Sequence, residues 1–160
     1  MPSSTVRIFT DADTYAASIR GTNAEITITG RGRFEGKLVH IDLHRLQTRQ
    51  ASDNLPRIGH SVDVPGYATI AFRTRPGPGQ LRNSVEMLPS NIIRRSEGES
   101  YFQKSDGFAS FGSMSLPVED IASIGEAMVG CDLTPPKDAL SVTPSPTAMA
   151  KLQDLHAAAS

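Results

Sequence analysis

The chain has 160 residues, of which 38% are hydrophobic and 21% charged, a composition typical of a globular domain with a core. Its net charge of −1 argues against a nucleic-acid surface on this chain, because phosphate contacts need clustered lysines and arginines. No apolar run approaches the roughly 20 residues that span a bilayer. The single cysteine, Cys131, excludes an internal disulfide. These features predict one cytoplasmic domain without a membrane partner.

The charge is unevenly distributed along the chain. Residues 1–104 carry 14 lysines and arginines against 10 acidic residues, whereas residues 105–160 carry 2 against 7. Twelve of the first 14 bases are arginines, spread singly through segments that resemble strands. They fit either a solvated sheet face or one or two inward side chains that hold an anionic ligand.

The predicted elements begin with a short helix and continue with strands. Thr10 is suited to cap the helix, and Gly21 to end it. Frequent turn sequences follow, among them the PGPG of residues 76–79. Many short strands separated by turns are typical of a sandwich or barrel. Alternation of apolar and polar residues places these strands at 25–29, 34–43, 56–64, 67–74, 84–88, 91–95, 101–104 and 108–116.

The pattern becomes helical at Pro117. A helix is predicted over residues 117–129, and Gly130 ends it. A proline-rich connector with a short strand at 139–142 leads to a second amphipathic helix at 147–159. This helix has no stop signal, so we expect the protein to continue beyond residue 160. Both helices are predicted to form a homodimer through their apolar residues: Ile121, Ile124, Met128, Leu152 and Leu155.

The segment LVHIDLH, residues 38–44, places an aspartate between two histidines. On a strand its apolar residues share one face, which predicts the core side. His40, Asp42 and His44 are therefore expected to face solvent or a partner. The segment lacks the H-E-x-x-H pattern, and no nearby carboxylate follows at the spacing of a barrel metal site. The sequence predicts no metal and no cofactor.

His60 shares a predicted strand face with Ile58 and Val62. This position fits either a pocket histidine or a core histidine bonded to backbone. Elsewhere, the PGPG turn lacks a following Gly-Lys-Ser/Thr sequence, and the serines near Gly112 lack the G-x-S-x-G elbow. The sequence therefore predicts no catalytic residues and no enzyme activity.

The order of these elements resembles the N-terminal domain of AraC-type transcriptional regulators. The resemblance covers most of the chain and is strongest from Phe72 to Met149. It includes Phe72-Arg73, the Pro/Gly turn, VEMLP at 85–89 and FASFGSMSLP at 108–117. It implies a mainly β, cupin-like barrel or sandwich at 1–116 that senses a small-molecule effector. Dimerisation helices and a linker at 117–160 would lead to a DNA-binding domain with two helix-turn-helix motifs, absent from this chain.

The predicted function is thus the ligand-sensing and dimerisation module of such a regulator, which contacts DNA only through that further domain. Two alternatives stay open. One is a stand-alone cupin-type enzyme, such as an isomerase or dioxygenase, although this chain lacks the His-x-His of metal-dependent cupins. The other is a structural interaction module without a ligand. Alternation alone predicts the residues that face the ligand: Phe34, His60, Phe72, Arg73, Met87, Arg94 and Tyr101.

Overall fold

The computed structural model describes residues 2–159 as two facing antiparallel β-sheets with α-helices. Strands β1 to β12 span, in order, Ser3–Phe9, Thr22–Ile28, Gly36–Leu43, Leu46–Asp53, Arg57–Asp63, Tyr67–Arg73, Gln80–Arg82, Val85–Glu86, Ile92–Arg94, Ser100–Ser105, Ala109–Pro117 and Leu140–Val142. Helices α1, α2 and α3 span Ala12–Ser18, Val118–Ile124 and Pro146–Ala159. The mainly β architecture with C-terminal helices agrees with the sequence prediction.

The larger sheet has seven strands in the order β1-β3-β4-β11-β6-β9-β12, and the smaller has five in the order β2-β5-β10-β7-β8. Strand β11 lies at the centre of the larger sheet. It pairs with β4 on one side, where Ser113 is opposite Arg49, and with β6 on the other, where Ser113 is opposite Ala71. Residues paired in this way point to the same face, so the register fixes which side chains face the smaller sheet.

Strands β1, β4 and β7 were not predicted. β4, with the sequence LQTRQASD, has only two apolar residues, so it lacks the alternation that identifies a half-buried strand. The first helix is capped by Asp11, whose Oδ2 accepts a hydrogen bond from the Thr14 amide at 2.9 Å. The predicted cap, Thr10, lies one residue earlier.

An aromatic cluster closes the sandwich beneath α1. Phe9, Tyr15, Phe34 and Leu55 are buried together, and the Tyr15 ring contacts both phenylalanines. A Cβ at Gly36 would lie 2.6 Å from the Tyr15 ring, so this position has room only for glycine. The cluster anchors α1 on the end of the sandwich.

Helix α3 packs on the outer face of the larger sheet. Met149 and His156 are its buried residues, and the His156 ring lies edge-on to Phe72 at 5.2 Å between centroids. Phe72 is fully buried there. A Cβ at Gly112 would lie 2.8 Å from the His156 ring, so the helix approaches the strand backbone closely.

The predicted helix at 117–129 consists of α2 followed by one π-helical turn, Gly125–Val129, and Gly130 ends it with φ of 69°. The residues predicted to form a dimer interface lie in different environments. Ile121 and Leu152 are half-buried, whereas Ile124, Met128 and Leu155 are exposed, Met128 by 80%. Within residues 2–159, no helix is long and apolar enough to cross a bilayer.

Candidate ligand-binding cavity between the sheets

The interior between the two sheets is polar, which reverses the expected orientation of several strands. On β5, Arg57 and Asp63 are buried, whereas Ile58 and Val62 are 48% and 37% exposed. The side that looks apolar in the sequence therefore faces solvent. Buried charges can occupy the interior because ion pairs and hydrogen bonds compensate them.

A cavity of about 120 Å³ lies in this polar interior. His40 and Arg49 line it from the larger sheet, and Ser61 and Tyr101 line it from the smaller sheet. Its remaining wall includes α1, and its rim includes exposed residues, so it communicates with solvent on the side of β1 and α1. These rim residues are Thr5, Arg7 and Arg20.

Arginines dominate the charge of the cavity lining. Five line it, Arg7, Arg20, Arg49, Arg57 and Arg95, whereas no aspartate or glutamate within residues 2–159 does so. Three of the five are paired with carboxylates that lie outside the lining. These pairs are Arg20–Asp42 at 3.8 Å, Arg57–Asp53 at 2.9 Å and Arg95–Asp63 at 3.4 Å.

Arg49 differs from the three paired arginines. Its Nε donates a hydrogen bond to Ser113 Oγ at 3.2 Å, and no carboxylate of the described chain lies within ion-pair distance of it. Burial, together with the charge of Arg95, lowers the pKa of Arg49 to about 10. The guanidinium is still protonated at neutral pH, so the cavity contains a charge that no protein anion neutralises directly.

Tyr101, which lines the cavity, packs against two arginines. The guanidinium carbons of Arg82 and Arg95 lie 4.3 and 5.0 Å from the centre of the Tyr101 ring, within the range of a cation–π contact. Arg82 is ion-paired with Glu99. Burial opposes the charge on Arg95, but Tyr101 and Asp63 outweigh this effect and raise its pKa.

His40 does not face solvent as predicted. It is 8% exposed, lines the cavity, and its Nε2 lies 3.1 Å from Asp42 Oδ1. The prediction was wrong because both faces of the larger sheet are covered, so apolar neighbours did not identify the inner face. Burial lowers the pKa of His40, and Asp42 offsets this only in part. His44 is exposed in the following turn, with φ of 58°.

Of the residues predicted to face a ligand, Tyr101 lines the cavity. Three others face elsewhere. Phe72 lies under α3, His60 lies on the outer face with its Nε2 2.7 Å from Ser100 Oγ, and Arg94 donates to the Thr134 carbonyl on the outer side at 3.3 Å. The assumption that apolar neighbours mark the interior produced these errors, because here the outer face is apolar as well.

Two further residues predicted to face a ligand, Arg73 and Met87, are buried at the PGPG turn and do not face the cavity. Arg73 donates to the carbonyls of Gly77, Pro78 and Met87 at 3.1, 3.4 and 3.4 Å, which holds the PGPG segment against the sheet. Met87 is buried beside it, and neither residue lines the cavity. Phe34 belongs to the aromatic cluster under α1 and does not line the cavity either.

Sequence reasoning missed Arg49, Arg57, Arg95 and Ser113. A usable signal was the spacing of Arg57, Ser61 and Asp63, which places polar residues on one strand face at intervals of two or four. Within residues 2–159, no group of three or more histidine, cysteine, aspartate or glutamate side chains lies close enough to hold a metal ion.

The fold is similar to that of a known regulator. The structure of the AraC-like transcriptional activator CuxR superposes with a TM-score of 0.54 at 15% identity, covering 96% of this chain and 57% of CuxR. The chain has the fold of that part of an AraC-like activator. The predicted mainly β barrel or sandwich followed by C-terminal helices is therefore confirmed.

Two more distant structures are also similar. A cupin-2 domain, Rru_A2000 from Rhodospirillum rubrum, has a TM-score of 0.36 at 12% identity, covering 84% of this chain and 86% of that protein. Vicilin from Corylus avellana (hazelnut) has a TM-score of 0.37 at 10% identity, covering 90% of this chain and 50% of vicilin. No protein-family model matches the sequence, and no curated protein sequence does.

Proposed function

We propose that this chain is the ligand-sensing domain of an AraC-type transcriptional regulator and that the cavity between the sheets is its effector site. The observation that carries the proposal is a solvent-connected, charged cavity inside a fold shared with an AraC-like activator. The half-buried Arg49 guanidinium has no carboxylate within ion-pair distance among the described residues, and an anionic ligand would supply one.

The position of α3 supports a sensing role. The helix packs on the outer face of the strands whose inner face lines the cavity, and Gly112 contacts both the helix and the cavity. A ligand that shifts β4 or β11 would therefore change how α3 packs on the sheet. Such a two-sided arrangement is what a coupling between ligand site and helix requires.

The proposal extends to the rest of the regulator. The exposed apolar residues Met128 and Leu155 would contribute to a homodimer in the cytoplasm, and a separate C-terminal domain would contact DNA. The chain itself would carry out no catalytic step and need no cofactor. Its net charge of −1 argues against a surface for phosphate contacts.

The effector site is tested by filling the cavity. A library of small metabolites is screened by thermal shift against the native chain, a Ser61→Phe variant and a Val62→Phe control. Ser61 lines the cavity, whereas Val62 is its outward neighbour on the same strand. We expect compounds that stabilise the native chain and the control to lose their effect in Ser61→Phe. Stabilisation retained in Ser61→Phe would refute the site.

The regulatory role is tested with DNA. The chain alone should show only weak binding that disappears as salt rises, and a longer protein with the C-terminal domain should bind an operator in a ligand-dependent way. Sequence-specific binding by residues 1–160 would contradict the proposal. So would stoichiometric zinc, iron or manganese together with catalytic turnover, which would favour the cupin-type enzyme.

A further inference from the structure

The charge of the cavity is set locally and does not follow the composition of the chain. The chain as a whole carries a net charge of −1, yet five arginines and no described carboxylate line the cavity. The carboxylates of Asp42, Asp53 and Asp63 neutralise three of these arginines from behind the wall. The arginines are thus the charged side chains that a ligand in the cavity would contact, and this favours an anion.

Arg49 is the group best placed to bind that anion. Its Nε is occupied by Ser113 Oγ, and no described residue accepts a hydrogen bond from its terminal nitrogens, which lie beside Gly21, between the lining residues Arg20 and Thr22. A guanidinium held through Nε presents its two terminal N–H groups as a fork, which matches the two oxygens of a carboxylate or phosphate. The bond to Ser113 also fixes the direction of the fork.

The space beside Arg49 limits the size and character of the ligand. The cavity of about 120 Å³ is a little smaller than the engineered 150 Å³ cavity that accommodates benzene, which limits the enclosed apolar body of a ligand, apart from its acidic group, to about six non-hydrogen atoms. Ile19, Leu38 and Phe111 also line it and supply apolar contacts. Arg7 and Arg20 at the rim would attract an anion from solution.

We propose that the cavity binds a small organic anion, whose acidic group pairs with the terminal nitrogens of Arg49 and whose apolar part packs against Leu38 and Phe111. This inference rests on the sensing function proposed above and specifies its ligand class. A carboxylate and a phosphate would both pair with the two terminal nitrogens, so the experiment tests one ligand of each kind.

The test is a titration of the ¹⁵N-labelled chain, followed by NMR, with benzoate, phenyl phosphate and the neutral benzamide. We expect one of the two anions to shift the amide signals of Ser61, Gly112 and Ser113, and benzamide to bind at least tenfold more weakly. The anion that binds more tightly shows whether the site prefers a carboxylate or a phosphate. Arg49→Met should weaken anion binding by about tenfold or more, and Arg49→Lys by less.

Arg33→Met is the matched control, because Arg33 is exposed and outside the cavity lining, and it should leave the titration unchanged. Arg49→Met should melt no lower than the native chain, since it removes a charge that lacks a carboxylate partner. Weakened binding in this variant is then not a sign of unfolding.

Two results would overturn the inference. One is equal binding of benzoate and benzamide that Arg49→Met leaves unchanged, which would leave a sensing site for neutral ligands. The other is no shift of cavity amides by either anion up to about 10 mM, a concentration that exceeds the range of even weak specific binding. The effect of Ser61→Phe on the metabolite screen reports separately on the sensing function.

Discussion

His156 and the guanidinium of Arg49 lie on opposite sides of the same strand. On the outer side, His156 Nε2 is 2.9 Å from the carbonyl oxygen of Arg49, and on the inner side the guanidinium lines the cavity. The last helix and the candidate ligand site are thus separated by the thickness of one backbone.

The first prediction concerns this contact. His156→Ala removes a ring that is 2% exposed and packs against Phe72 and Gly112, so the free energy of unfolding should fall by about 2–3 kcal/mol. Amides of α3 should also exchange faster with solvent. Leu155→Ala, at a position that is 59% exposed, should change the stability by about 0.5 kcal/mol or less. If urea unfolding gives the same loss of unfolding free energy for both variants, His156 does not anchor α3 to the sheet.

The second prediction concerns the buried pair Arg57–Asp53. The carboxylate is 1% exposed and also accepts a hydrogen bond from the Tyr15 hydroxyl at 3.2 Å. Arg57→Met leaves it uncompensated and should lower the free energy of unfolding by about 3–5 kcal/mol. Adding Asp53→Asn should recover most of this loss, because the double variant buries no charge.

The control for these two variants is the pair Lys104–Asp106, whose side chains are more than half exposed and 3.7 Å apart. Lys104→Met should change the stability by about 0.5 kcal/mol or less. Chemical denaturation of the four proteins measures all these values. A double variant as unstable as Arg57→Met alone would show that the loss comes from packing and not from the unpaired charge.

The third prediction concerns the pH dependence of stability. Because burial lowers the pKa of His40 in the folded chain, the unfolded chain binds a proton more readily. The stability contributed by neutral His40 is present above the unfolded pKa of about 6.5 and is lost as the pH falls through it towards the folded pKa. His40→Gln should therefore flatten the curve of unfolding free energy against pH below about 6.5.

His44→Gln is the matched control, because His44 is exposed in the turn after the same strand. It should leave the pH dependence of the native chain intact. Urea unfolding at a series of pH values checks both variants. A His40→Gln curve that runs parallel to the native one would contradict the burial of His40 as a neutral side chain.

The fourth prediction concerns self-association. Met128 and Leu155 are 80% and 59% exposed, so replacing both by lysine should cost the monomer little while removing apolar contacts from a dimer interface. We expect the dimer fraction in sedimentation to fall in Met128→Lys/Leu155→Lys. A similar double change at Val6 and Ile8, which are exposed on edge strand β1, distinguishes the two surfaces. A dimer lost only in the second variant would place the interface on β1.

The sequence predicts the elements of this fold better than their orientation. Pro117 and Gly130 bracket the first C-terminal helix as expected, because both residues act through local backbone geometry. The strand at 139–142 was found from its local pattern too. Strand β4 was missed because its neighbours on both sides supply its environment, and nothing in LQTRQASD identifies it locally.

The candidate site was harder to predict for a related reason. Alternation separates the two faces of a strand but does not say which face is inside when the outer face is also apolar, as on β5, where Ile58 and Val62 are exposed, and on the larger sheet, which α3 covers. His60 and Phe72 were assigned inward on their apolar neighbours, whereas Arg49 and Arg57 occupy the interior. Their burial depends on partners such as Asp53 that are brought close only by the fold.

The central position of β11 also determines the order in which the sheet can be completed. β11 ends at Pro117 and lies between β4 and β6, which are made about 60 and 40 residues earlier. Until it is synthesised, each of these strands has an unpaired edge. Pairing across such long stretches of chain is slow, so the domain should fold only after most of it has left the ribosome. During that interval, a chaperone that shields exposed strand edges would protect it from aggregation.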